Sequence, residues 1–174
     1  ARKRVGIIAH PDIWAAKYSR LQNETGKFIG IPFQRRELES LGATFNLTRK
    51  SLRITDNIMT TGEIPMVTNF EKISPTLFVE QANKQQPDKL LDDQALIITS
   101  EQGLVVILGC AHRGAVNTLY YAQQLTGVKS IYMVLGGFHL FQSSKERIML
   151  TINALRELGV QRLGASHCTG FLAS

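Results

Sequence analysis

Four histidines carry most of the chemistry that this sequence could perform, and three of them share one setting. His112, His139 and His167 each stand among small residues: Gly109-Cys110-Ala111-His112-Arg113-Gly114, Gly136-Gly137-Phe138-His139 and Ser166-His167-Cys168-Thr169-Gly170. Glycine lets backbone approach a bound group closely and tolerates positive φ. Neutral imidazole is the commonest metal ligand, so a metal centre is the leading reading, weighed against histidines that cap helices or satisfy buried carbonyls. Cys110 and Cys168 lie beside the same histidines. A structural zinc on two thiolates and two imidazoles is the alternative, but the spacings do not match two close pairs separated by a long spacer. Adjacent residues such as His167 and Cys168 would also point to opposite sides of an extended segment. The cysteines are therefore expected to be reduced, to act as small hydrophobes and not to ligate the main metal.

The elements that must position these histidines are predicted strands, each ending just before one of them. Residues 104–108 precede His112, residues 131–135 precede His139, and residues 160–165 precede His167. In open α/β sheets ligands bind beyond the carboxyl ends of strands, so three loops could deliver imidazoles to one edge. Residues 95–99 pair with 104–108 as a hairpin across Ser100-Glu101-Gln102-Gly103. A helix carries Val116, Leu119, Ala122 and Leu125 and stops at Gly127. Ser143 and Glu146 read as a capping box opening a second helix, with Ile148, Ile152, Leu155 and Leu158 on one face and Gly159 as its stop. The earlier half is less regular. It reads as a strand over 5–9 closed by His10-Pro11, a helix from Pro11 to Lys17, and a loop holding Gly26, Gly30 and Pro32. A short helix over 35–41 ends at Gly42, β structure spans 44–61, and a polar excursion over 68–91 carries Pro75 and Pro87. The fold class is α/β.

Composition bounds the function. The chain has 174 residues, 44% hydrophobic and 20% charged, enough to bury a real core in a single domain. No apolar run approaches the roughly 18 residues of a membrane span, and the apolar run after the basic start Ala1-Arg2-Lys3-Arg4 is too short for a signal peptide. Two cysteines exclude a disulfide scaffold and fit a reducing cytoplasm. Twenty Lys and Arg against fourteen Asp and Glu give a net charge of +6. That excess is scattered, with no aromatic-interleaved basic stripe, so a solvated basic surface is favoured over a nucleic-acid partner.

The ordered segments Gly109-Cys110-Ala111-His112-Arg113-Gly114-Ala115-Val116-Asn117, Gly136-Gly137-Phe138-His139-Leu140 and Ser166-His167-Cys168-Thr169-Gly170 resemble successive signatures of the metallo-β-lactamase superfamily. With Thr61-Gly62-Glu63-Ile64-Pro65 and Asp92-Asp93-Gln94-Ala95-Leu96, they are similar to its dihydropterin-ribofuranosylaminobenzene-phosphate synthase-like branch. The resemblance implies an αββα sandwich with a metal centre at one edge. It makes His112 and His167 metal ligands. His139 stands near where many members place a bridging Asp, and is a ligand or a substrate contact. The superfamily's first motif, His-x-His-x-Asp-His, does not occur in these residues. The expectation is thus an N-terminally incomplete metallo-β-lactamase-like fold, residues 1–174 forming one domain that is inactive by itself.

In an intact member the resemblance implies a metal-dependent hydrolase or transferase using a divalent ion, zinc first, with manganese or iron as alternatives. Its substrate would be a small molecule, phosphorylated or pterin-like. Substrate contacts are expected from His10, Glu63 and Arg113. Asp92 and Asp93 are expected to orient a ligand histidine from behind, or simply to form a polar turn at a strand entry. The competing function is a non-catalytic binding domain that keeps the fold without the metal centre. Loss of early strands would leave an open sheet edge, so a homo-oligomer through that edge is expected.

Overall fold

The computed structural model describes residues 4–20 and 26–173. The basic start at residues 1–3 and part of the loop expected before Gly26 lie outside the described residues. In chain order the elements are β1 (Val5–Ala9), β2 (Ala16–Ser19), β3 (Lys27–Phe28), α1 (Arg35–Ser40), β4 (Ala43–Leu47), β5 (Ile58–Thr60), β6 (Leu77–Gln81) and β7 (Lys84–Pro87). They continue with β8 (Ala95–Ser100), β9 (Gly103–Leu108), α2 (Ala115–Thr126), β10 (Ile131–Gly136), α3 (Lys145–Glu157) and β11 (Arg162–Ala165). Two compact units form: residues 1–49 with 73–92, and residues 50–72 with 93–174.

The first unit holds a parallel β1–β4 pair and a sheet ordered β3-β2-β6-β7. Two expectations fail here. Residues 11–17 do not form a helix: Pro11–Trp14 makes one 3-10 turn, Ala15 is extended, and the chain continues as β2. The expected polar excursion contains the β6–β7 hairpin, whose loop residues Ala82 and Asn83 both take positive φ, 50° and 59°. That pair of left-handed residues matches the right-handed twist of the flanking strands. Strand β7 escapes the hydrophobic pattern because Lys84-Gln85-Gln86-Pro87 is exposed throughout and lies at a sheet edge, where proline is tolerated.

The second unit is a five-stranded sheet ordered β11-β10-β9-β8-β5. The β8–β9 hairpin is antiparallel, whereas β9, β10 and β11 run parallel. Ile97, Leu104, Val106, Ile131 and Val134 are wholly buried, and α2 lays Val116, Leu119 and Ala122 on β8 and β9. These continuous apolar runs are what parallel strands need, since helices cover them. Helix α2 stops at Gly127, in the left-handed conformation at φ 73°. Helix α3 starts one residue later than the expected capping box. Its N-cap is Ser144, whose side chain accepts the Arg147 N–H at 3.2 Å. No described helix is long and apolar enough to cross a membrane.

Candidate metal centre

Because β9, β10 and β11 are parallel neighbours, their carboxyl ends share one edge of the sheet, and His112, His139 and His167 all follow that edge. Hydrogen bonds from backbone N–H groups tie the three loops together. Gly137 N–H donates to Gly109 O at 2.9 Å, Ser166 N–H to Gly136 O at 3.0 Å, and Phe138 N–H to Thr169 Oγ1 at 3.1 Å. Gly137 must lack a side chain, since a Cβ there would meet Cys168 Sγ at 2.6 Å and Gly109 O at 2.8 Å. Ala111, His139 and His167 hold left-handed φ values of 52°, 46° and 52°. For residues with a Cβ such strain costs about 1–3 kcal/mol each and gathers at functional sites.

The imidazoles of His112 and His139 meet with ring centroids 4.0 Å apart and planes inclined at 50°. His139 Nδ1 is buried with no hydrogen-bond partner among the described residues. Burial lowers the His139 pKa, and Arg147 and His167 push it the same way, which favours the neutral ring. One donor atom each from Cys110, His167 and Cys168 lies within 4.8 Å of the others. The expectation that Cys168 points away from His167 fails for a local reason. Residues His167–Thr169 form a 3-10 turn entered at positive φ, not an extended segment. Cys168 Sγ donates to Cys110 O at 3.4 Å. Burial, then the adjacent Cys168 and Asp93, pushes the Cys110 thiol up to about 11, so it is protonated at neutral pH.

The other expected site residues divide. Asp93 Oδ2 accepts the backbone N–H of Arg113 at 2.8 Å and thereby fixes the loop that carries His112. Arg113 Nε donates to Ile64 O at 2.5 Å. Burial lowers the Arg113 pKa, while Asp93 and Glu63 act against that shift, which brings Glu63 into the same electrostatic neighbourhood. Asp92 belongs to the first unit, where its carboxylate binds Lys17 Nζ beside Asp88, so its partner is an ammonium and not an imidazole. His10 is also in the first unit and is wholly buried. Its Nδ1 accepts the Asp12 N–H at 3.0 Å and caps the 3-10 turn, a structural use of the ring.

Two residues near the site escaped the sequence reading. Arg147 donates from Nη1 to Phe70 O at 3.0 Å and acts electrostatically on His139. Glu71 is 2% exposed and accepts the N–H groups of Val116 and Asn117 at 3.0 and 2.7 Å. It anchors the start of the helix that follows the His112 loop. Its only local sign was a lone acidic residue in a polar stretch.

Among the described residues the one group of three donors close enough to share an ion is Cys110, His167 and Cys168, whose nitrogen and sulfur atoms suit a borderline-soft metal; the His112–His139 ring pair is not part of that group.

Comparison with known proteins bears on this centre. No family model matches the chain. It is 34% identical over 180 residues to the 7,8-dihydropterin-6-methyl-4-(β-D-ribofuranosyl)-aminobenzene-5'-phosphate synthase of Methanocaldococcus jannaschii, covering 98% of this chain and 59% of that protein. An uncharacterized protein of the same organism is 27% identical over 167 residues, covering 96% of this chain and 59% of its own length. The chain thus spans about three fifths of the curated relatives it matches. A crystal structure described as a metal-dependent hydrolase of the β-lactamase superfamily superposes with a TM-score of 0.85 at 29% identity, covering 98% of this chain and 63% of the other. The mixed α/β architecture and these likenesses give the chain a metallo-β-lactamase-like fold and support its resemblance to that superfamily.

Proposed function

We propose that this chain is part of one domain of a metal-dependent hydrolase or transferase, with His112, His139 and His167 as its metal ligands. The observation that carries the reading is the delivery of three imidazoles to one edge by three adjacent parallel strands, two of them with rings 4.0 Å apart. A zinc ion held there would supply Lewis acidity and lower the pKa of a bound water towards neutrality. The protein's own residues prepare the site. Burial favours the neutral form of His139, Asp93 holds the Arg113 backbone beside His112, and the hydrogen-bonded loops fix ring positions before an ion arrives. Glu63 and Arg113 form a charged border in the same unit, with Arg113 as the contact for an anionic substrate group. The synthase relative supports a phosphorylated, pterin-related small molecule as substrate. Two free thiols support a reducing compartment such as the cytoplasm.

The same reading includes self-association. The β1–β4 sheet has only two strands among the described residues, and such a pair invites edge pairing. Sedimentation across a concentration series tests it, and a monomer at every concentration would oppose it. The function is tested by assaying the longest available form of the protein with zinc on a phosphorylated pterin-type substrate, alongside His112→Ala and His139→Ala. Activity that depends on added zinc and falls at least about 100-fold in each variant is expected, since even residues behind a ligand cost 10–100-fold. Zinc-independent turnover, or folded protein that binds no metal, would favour a non-catalytic binding domain.

A further inference from the structure

We propose that Cys110, Cys168 and His167 form a soft-cation site in which both sulfurs bind the ion directly, so that the metal chemistry of this edge is mixed thiolate and imidazole. The inference rests on the proposed metal centre, because His167 belongs to both donor sets, and it deepens that reading by naming the class of ion.

The geometry is already close to that of a bound state. The two Sγ atoms and a ring nitrogen of His167 lie within 4.8 Å of one another. In tetrahedral zinc sites, with Zn–S about 2.3 Å and Zn–N about 2.0–2.1 Å, donors stand roughly 3.5–3.8 Å apart. Small side-chain rotations close the remaining gap of about 1 Å. The arrangement is tertiary, because the thiols come from loops after β9 and β11. The loop after β10 serves as spacer: Gly137, bonded through its N–H to Gly109 O, leaves the volume that Cys168 Sγ occupies. Left-handed φ at His167 turns the ring and the neighbouring thiol to the same side. Each thiol passes its proton to solvent as its sulfur–metal bond forms. With sulfur and nitrogen donors and no carboxylate in the cluster, zinc, cobalt or cadmium should be taken in preference to magnesium or manganese.

Cobalt(II) titration of the reduced 174-residue chain reads the proposal through a thiolate-to-cobalt charge-transfer band in the near ultraviolet. The band is expected in the parent chain. Cys110→Ser combined with Cys168→Ser should abolish it and weaken zinc binding at least about 100-fold. An independent readout needs no variant: saturating zinc should protect Cys110 and Cys168 from alkylation by iodoacetamide, measured by mass spectrometry, and saturating manganese should not. Cobalt bound without the band, with alkylation unchanged by zinc, would overturn this inference and leave the imidazole centre standing. No cobalt bound at all would overturn both. Should the double-serine variant fail to fold, the alkylation result decides.

Discussion

Replacing Glu71 by alanine should cost about 3–5 kcal/mol of folding stability, although the residue lies far in sequence from the helix it supports. Helix α2 begins after Gly114, which has no side chain with which to cap it. Its first-turn N–H groups would be orphaned without another acceptor. Glu71 supplies that acceptor from the 65–72 segment, taking Val116 N–H at 3.0 Å and Asn117 N–H at 2.7 Å, with Thr68 Oγ1 at 3.3 Å and Arg147 Nη2 at 3.9 Å. Val116 and Asn117 are wholly buried, so truncation strands two donors at about 1–3 kcal/mol each. It also leaves the half-buried Arg147 cation without its carboxylate, and breaking buried pairs costs about 3–5 kcal/mol. These contributions overlap and do not add. Glu71→Gln keeps the shape but turns an amide N–H towards a backbone N–H, at about 2 kcal/mol. Urea unfolding monitored by circular dichroism measures both. For a chain of this size, 3–5 kcal/mol lowers Tm by about 10 °C. Stability of Glu71→Ala within 0.5 kcal/mol of the parent would refute the capping account.

The remaining predictions concern the same network and its neighbours. Burial raises the Glu71 pKa above the ordinary carboxylate range, against the lowering effect of its hydrogen bonds and of Arg147. The pH-linked part of its contribution is therefore fully present below the unfolded carboxyl pKa and is lost as pH rises through the higher folded value, while its bonds to the Val116 and Asn117 N–H groups persist. A stability–pH profile should show that decline in the parent and not in Glu71→Gln. Gly114→Ala should be severely destabilising, because a Cβ at φ 101° would overlap the Glu71 carboxylate and meet Asn117 Nδ2 at 2.8 Å. Combined with Glu71→Ala it should cost less than the sum, as a double-mutant cycle would show. Asn117→Ala should cost about 1–3 kcal/mol, since its buried Oδ1 accepts the Val67 and Thr68 N–H groups, both at 2.8 Å. Thermal unfolding would register that loss.

The three parallel strands and their histidine loops were legible because a continuous apolar run followed by Gly or Ser and then His is a local pattern. Val106, Ile131 and Val134 fill the core while the residues just beyond them turn towards the edge. What the pattern could not show was which side chains a tight turn brings together. Treating 166–170 as extended separated His167 from Cys168, and left-handed φ at His167 reverses that conclusion. The β6–β7 hairpin stayed hidden because its outer strand is polar and its turn, Ala82-Asn83, lacks glycine. Asp92 and Asp93 are adjacent and chemically alike, yet one pairs with Lys17 and the other with the backbone of Arg113. Only the three-dimensional path separates their roles. Glu71 and Arg147 act across distances in sequence that no periodicity encodes.

The most direct measurement of the central claim is zinc affinity of the purified chain, read by competition with a chromophoric chelator, for the parent and for His112→Ala, His139→Ala and His167→Ala. Each substitution should weaken binding at least about 100-fold while far-ultraviolet circular dichroism stays unchanged. Parent-like zinc affinity in all three folded variants would contradict the assignment of this histidine edge as a metal centre.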